Sequence, residues 1–152
     1  MRDLIQYIEG NFRQYFEILN KIGETGENDH ISGEPYEVRE LLYTLAGIQD
    51  EVVDYRLKKI LKEEHPYIPH IEVEKIKRKG QLQTCSLDQI VQNFLSQRRE
   101  LLKLLYSLPM ESWNRTGVLE KEGHVSFREL IRRLGEKDQQ ILAQLSQALV
   151  EH

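Results

Sequence analysis

Four blocks of apolar residues recur at helical spacing, and proline and glycine break the chain between them. The chain is thereby committed to helices that must each bury one face. In the first block Leu4, Ile5, Ile8, Phe12, Tyr15, Phe16, Leu19 and Ile22 follow one stripe until the Gly-rich stretch GETGENDHISGEP ends it, which predicts a helix over about 3–22. The second block begins after Pro35 and carries Leu41, Leu42, Leu45, Ile48, Val52, Tyr55, Ile60 and Leu61. It stops before HPYIPH, whose prolines cannot continue a helix, so it predicts a helix over about 37–64. The third opens at Ser86, with Gln89 as a capping-box partner, and runs through Ile90, Val91, Phe94, Leu101, Leu105 and Leu108 to Pro109. The fourth opens at Ser126 with Glu129 three positions on and extends over about 126–150. Almost nothing alternates with the two-residue period of a strand. The fold class is therefore all-α, and four long amphipathic helices bury their stripes most simply as a four-helix bundle. Residues 65–85 are too many for a tight turn and predict a long connection between helices two and three across one end of the bundle. Within it Lys75, Lys77, Arg78 and Lys79 alternate with Glu72 and Glu74, which suits a short exposed helix.

A length of 152 residues predicts one domain over 1–152. Lys and Arg total 21 against 25 Asp and Glu, a net charge of -4, which argues against a nucleic-acid partner. Cys85, the only cysteine, cannot form an internal disulfide, and charges interrupt the apolar residues of MRDLIQYIEGNF more often than in a signal peptide. No run approaches the roughly 18 apolar residues of a membrane span. These features predict a cytoplasmic protein with no membrane partner.

The fourth stripe also holds a charge. Positions 134, 138, 141 and 145 share a helix face, so Asp138 stands among Leu134, Ile141 and Leu145. Burying a carboxylate is costly unless it is paired or hydrogen-bonded. Three readings of Asp138 are open: a structural carboxylate accepting from a loop amide, the Trp113 indole or Arg115; a catalytic base with a raised pKa; and an aspartate at the solvated rim of the stripe. Other candidates are weaker. His65 and His70 bracket PYIP and can approach each other without an acidic partner at ligand spacing, while His30 and His124 lie in polar loops. Cys85 precedes a helix N-terminus that favours a thiolate, but no histidine accompanies it. Trp113 and Tyr36 suit aromatics that close the bundle ends. Gly135 marks either a close helix approach or a tolerated surface glycine.

Three stretches in order, PYEVRELLYTLAGIQDEVVDYRLKKIL, HPYIPHI and LPMESWNRTGVLEKEGHVSFRELIRRLGEKDQQIL, resemble the DinB-like (DinB/YfiT) family of four-helix bundles. The last is the most telling: Trp113, then Arg115-Thr116-Gly117-Val118, a loop with Gly123, and a capped helix opening VSFRELIRRL. The resemblance implies that active members bind a divalent metal through three histidines, one on the second helix and an H-D-x-x-H pair on the fourth. Histidines at i and i+4 share one face, and a third from a facing helix completes a site open to water or a substrate thiolate. Carried over residue by residue, these ligands fall on Thr44, Lys137 and Ile141, and the aspartate of the motif is Asp138. Thr44 offers a weak neutral hydroxyl, Lys137 a cation and Ile141 no donor atom.

The resemblance thus implies a pseudoenzyme: a bundle with no metal, no other cofactor and no catalytic residue, in which Thr44, Lys137, Asp138 and Ile141 line a vestigial pocket. Trp113, Arg115, Thr116 and Gly117 form a structural motif beside it. Lys137 has two readings, a fixed charge that neutralises Asp50 or Glu51 or attracts an anionic ligand, and an exposed surface lysine. The expected role is binding of a small molecule or a protein. Homodimerisation is a further expectation, because family members pair through helix faces and helices two and three carry apolar residues on more than one side. The alternative is a thiol-dependent transferase or hydrolase with no metal or with a non-standard site, such as one built from Asp50, Asp54 and Asp138.

Overall fold

Each of the four blocks forms a long helix in the computed structural model, which describes residues 2–25, 35–69 and 86–150. Helix α1 spans Arg2–Thr25. Helix α2, Pro35–Ile48, opens on the proline whose fixed φ suits a first helical position, and it runs unbroken through a π-helical stretch, Gln49–Leu57, into α3, Lys58–Lys62. A short strand β1, Tyr67–Ile68, follows. Helix α4, Leu87–Ser107, starts on the expected capping box: the Gln89 amide donates to Ser86 Oγ at 3.1 Å, and the Ser86 amide donates to Gln89 Oε1 at 3.0 Å. A single turn α5, Met110–Trp113, leads to strands β2, Thr116–Leu119, and β3, Gly123–Ser126, and then to α6, Phe127–Val150. Half of the second capping box forms. The Glu129 amide donates to Ser126 Oγ at 3.0 Å, while the Glu129 carboxylate turns to Arg132 and Arg133. His30, His70, Cys85 and the charged run from Glu72 to Lys79 lie outside the described residues.

The class is all-α and the architecture a four-helix bundle. Helix α1 packs against α4 and α6, and α2 with its π-helical continuation packs against the same two helices. Two apolar clusters fill the interior. One gathers Tyr15, Leu19, Leu42, Leu45, Phe94 and Leu145. The other gathers Ile8, Val53, Leu57, Leu101, Trp113 and Leu134 and extends to the strands. No helix among the described residues is long and apolar enough to cross a membrane.

Three features depart from the sequence expectations. First, a three-stranded sheet in the order β1-β2-β3 stands where no strand was expected. Strand β1 pairs with β2 in parallel, Tyr67 beside Val118, and β2 pairs with β3 in an antiparallel hairpin, Val118 beside His124. The Glu122 amide donates to Leu119 O at 3.2 Å to close the turn, and Gly123 follows at φ 81°, the left-handed conformation that completes such loops. Second, the inward face of the second helix is displaced by one to two residues between 48 and 57. Ile48, Val52 and Tyr55 are half-buried, and Gln49, Val53 and Leu57 are buried in their place. The π-helical turn accommodates more residues than an α-turn and so rotates the side chains that follow it. Third, Phe16, assigned by period to the core, is 43% exposed.

Candidate functional site

The two apolar clusters are separated by a polar layer to which each long helix contributes one residue. The buried polar side chains among the described residues are Asn11, Gln49, Arg98 and Asp138. Along α1, Asn11 lies between Ile8 of one cluster and Tyr15 of the other, and along the second helix Gln49 lies between Val53 and Leu45. Arg98 likewise lies between Leu101 and Phe94 on α4, and Asp138 between Leu134 and Ile141 on α6. The stripe that singles out Asp138 has counterparts at 94/98/101/105 and 8/11/15/19, so Arg98 and Asn11 were readable by the same spacing and were missed.

Asp138 and Arg98 are both fully buried, and their pairing answers how a carboxylate survives in this stripe. Arg98 Nη1 donates to Asp138 Oδ2 at 2.5 Å and Nη2 to Oδ1 at 3.2 Å, a two-pronged contact. The Tyr15 hydroxyl donates to the same Oδ1 at 2.9 Å. Burial, then the charge of Asp138, pushes the Tyr15 phenol far above its ordinary range, which keeps it a hydrogen-bond donor to the carboxylate. Burial pulls the Arg98 guanidinium downward, but the charge and hydrogen bonds of Asp138 outweigh it and hold the pKa above its ordinary value. The guanidinium carbon also lies 5.0 Å from the Phe94 ring centre and 5.6 Å from that of Tyr15. Beside this pair, Asn11 Nδ2 donates to Gly135 O at 3.1 Å, and Gln139 donates to Asn11 Oδ1.

The expected partners of Asp138 are therefore replaced. Trp113 is fully buried against Phe127, edge to face at 5.4 Å, and its indole N–H reaches no acceptor. Arg115 instead donates from Nε to Ile60 O at 2.8 Å and from Nη2 to Glu63 O at 2.6 Å, which satisfies carbonyls at the end of α3. The Phe127 amide donates to Arg115 O at 2.8 Å and ties the same residue to the start of α6. Thr116 Oγ1 lies 2.8 Å from His65 Nδ1, and His65 stacks on His124 at 5.0 Å. Gly117 lets β2 approach closely, since a Cβ there would stand 3.1 Å from Pro66 O and 3.2 Å from Ile60 Cγ1. The Trp113, Arg115, Thr116, Gly117 motif thus clamps the end of α3 and β1 onto the start of α6.

The four residues assigned to a vestigial pocket divide between the interior and the surface. Asp138 and Ile141 are buried, whereas Thr44 and Lys137 are exposed, and the Thr44 hydroxyl donates back to Glu40 O at 3.0 Å. Glu51, one expected partner of Lys137, pairs with Arg56 at 3.1 Å. This donor set does not fit a divalent metal: one position is an alkyl group, two face solvent, and the carboxylate is covered by a guanidinium. Among the described residues no group of three His, Cys, Asp or Glu is placed to hold a metal.

A concave site lies elsewhere. Between the π-helical stretch and α4 is a cleft of about 390 Å³, within the size range of small-molecule pockets. Val53, Leu57, Leu101 and Leu104 form its apolar lining, and Asp54, Lys58, Ser96, Gln97 and Glu100 its polar one. Gln49 connects the cleft to the polar layer. Its Nε2 donates to Asp54 Oδ1 at 3.2 Å, while its Oε1 is buried without a partner. The Asp54 contact is a product of the π-helix. Residues five apart are brought together there, as the Arg56–Glu51 pair repeats, whereas on an α-helix they point apart.

No protein-family model matches the chain and no curated protein matches it. The chain is similar in structure to YfiT from Bacillus subtilis, described as a probable metal-dependent hydrolase with an unusual four-helix bundle topology. The TM-score is 0.71 at 16% sequence identity, covering 97% of this chain and 84% of that one. At this identity the likeness shows the fold: a YfiT-type four-helix bundle.

Proposed function

We propose that this chain is a ligand-binding bundle, one that has kept a YfiT-type scaffold without metal chemistry and takes a small molecule in the cleft beside the π-helical stretch. The observation that carries the reading is the burial of Asp138 against Arg98. A carboxylate whose oxygens are taken up by a permanent cation and a tyrosine hydroxyl is covered against a metal, and its contacts hold α6 to α4 and α1. The cleft supplies what a binder needs: apolar walls from two helices and a few convergent polar groups.

The test is native mass spectrometry of the purified protein with and without excess zinc and nickel. The expected spectrum is that of the polypeptide, alone or with a retained organic ligand, with metals adding only weakly and without saturation. One metal bound per chain, surviving replacement of His65 and His124, overturns the reading. That outcome would favour the second reading, a metal-dependent hydrolase like the one YfiT is described to be, for which the shared fold is the supporting observation.

A further inference from the structure

We propose that the cleft beside the π-helical stretch binds a compact organic amine: an aryl or branched-alkyl body carrying a protonated primary or secondary ammonium group. The proposal rests on the ligand-binding reading above and names the class of ligand. Three observations lead to it.

The first is the orientation of the Gln49 amide. An ionised carboxylate only accepts hydrogen bonds, so the contact with Asp54 at 3.2 Å has to be made by the amide nitrogen. That leaves Oε1 as an acceptor, on a side chain only 3% exposed, with no donor to serve it. A buried acceptor without a partner is costly, and a ligand that brings an N–H to it removes the cost. The second is charge. Asp54 and Glu100 line the cleft from opposite walls; Lys58, the one ammonium in the lining, lies 3.5 Å from Asp54 Oδ1, and Lys103, outside the lining, lies 3.3 Å from Glu100 Oε1. Both pairs are exposed and therefore weak, so a ligand ammonium can take the place of either lysine, whereas an anion meets two carboxylates in the lining. The third is shape. The cleft of about 390 Å³ is larger than an ammonium group alone requires, and half-buried Leu104, with the nearly covered Val53, Leu57 and Leu101 behind it, gives it an apolar side. The π-helical geometry makes the combination, because it sets the buried amide of Gln49 beside the carboxylate of Asp54.

The experiment titrates the ¹⁵N-labelled protein at neutral pH with three phenylethyl compounds of different head group, 2-phenylethylamine, 2-phenylethanol and 3-phenylpropanoate, and follows backbone amide shifts. The amine is expected to give saturable shifts centred on residues 49–58 and 96–104, with an affinity about ten-fold above that of the carboxylate. Gln49→Met is expected to weaken the amine by about ten-fold. Because that side chain is buried, Glu100→Gln provides a second variant at a side chain 69% exposed, and it should weaken the amine while leaving the alcohol unchanged. Absence of saturable amine shifts at these residues, or a carboxylate that binds as tightly as the amine, overturns the proposed ligand class. Alcohol or carboxylate binding at the same residues as tight as that of the amine, or tighter, would sink the amine alone and leave the ligand-binding reading standing, whereas stoichiometric metal binding in the mass spectrum would sink that reading whatever the amine does.

Discussion

Asp138 was legible as an anomaly from spacing alone, because a carboxylate at 138 shares a face with Leu134, Ile141 and Leu145. Its partner was harder to name. Helical spacing reports which residues share one face but not which faces meet, so the loop residues Trp113 and Arg115 were as eligible as Arg98 forty positions away. The structure makes the pair quantitative. Removing either member leaves the other buried without its partner in the two-pronged contact, so Asp138→Asn or Arg98→Met is expected to destabilise the fold by about 3–5 kcal/mol. Tyr15→Phe removes one hydrogen bond to a charged group and should cost about 1.5–3 kcal/mol. Urea denaturation measures all three. A loss below 1 kcal/mol for Asp138→Asn would mean that the carboxylate is solvated and not held by Arg98.

Helix starts were the best-read elements, since Ser86 and Ser126 carry their capping chemistry in the sequence. Strands of two to four residues are too short to show an alternation, and a π-helical stretch is a backbone hydrogen-bonding pattern that leaves no period in the side chains, so both were invisible. Gly135 shows how closely two elements approach: a Cβ there would stand 2.4 Å from the Tyr7 ring of α1. Gly135→Ala gains about 1 kcal/mol of helix propensity, yet it is expected to lower the melting temperature because the Tyr7 ring packed on this position must be displaced. Adding Tyr7→Ala should restore part of the loss, and a Gly135→Ala variant that melts higher than the parent would place the two helices further apart. At the start of α6, the hydrogen bond from Arg132, supported by Arg133, lowers the Glu129 pKa from 4.5 to about 2. The folded value is the depressed one, so the contribution is present above pH about 4.5 and is lost as the pH falls toward 2. The stability difference between the parent and Glu129→Gln should therefore shrink between pH 5 and pH 2.5. A difference that does not change over that range would show the side chain to be unpaired in solution.

At the scale of the whole molecule, the polar layer divides the core in two, and a divided core poses a question of purpose. Apolar clusters alone tolerate sliding of one helix past another, because Leu on Leu is nearly indifferent to register. A two-pronged Arg98–Asp138 contact between α4 and α6, with Tyr15 from α1 on the same oxygen, is satisfied in a single alignment of three helices. Replacing both charges together, Arg98→Met with Asp138→Leu, in a Tyr15→Phe background that leaves no hydroxyl without an acceptor, removes the desolvation cost along with the attraction. The double variant is accordingly expected to match the parent in stability or exceed it by about 1–4 kcal/mol, the opposite of either single change. It is also expected to bind 8-anilinonaphthalene-1-sulfonate and to lose amide-signal dispersion, as helices without a fixed register expose apolar surface. Gln49 and the cleft residues are untouched by these substitutions, so any loss of ligand binding in the variant reports the alignment of the π-helical stretch with α4. A double variant that is more stable, fully dispersed and dye-silent would show that apolar packing alone sets the register and that the buried pair specifies nothing.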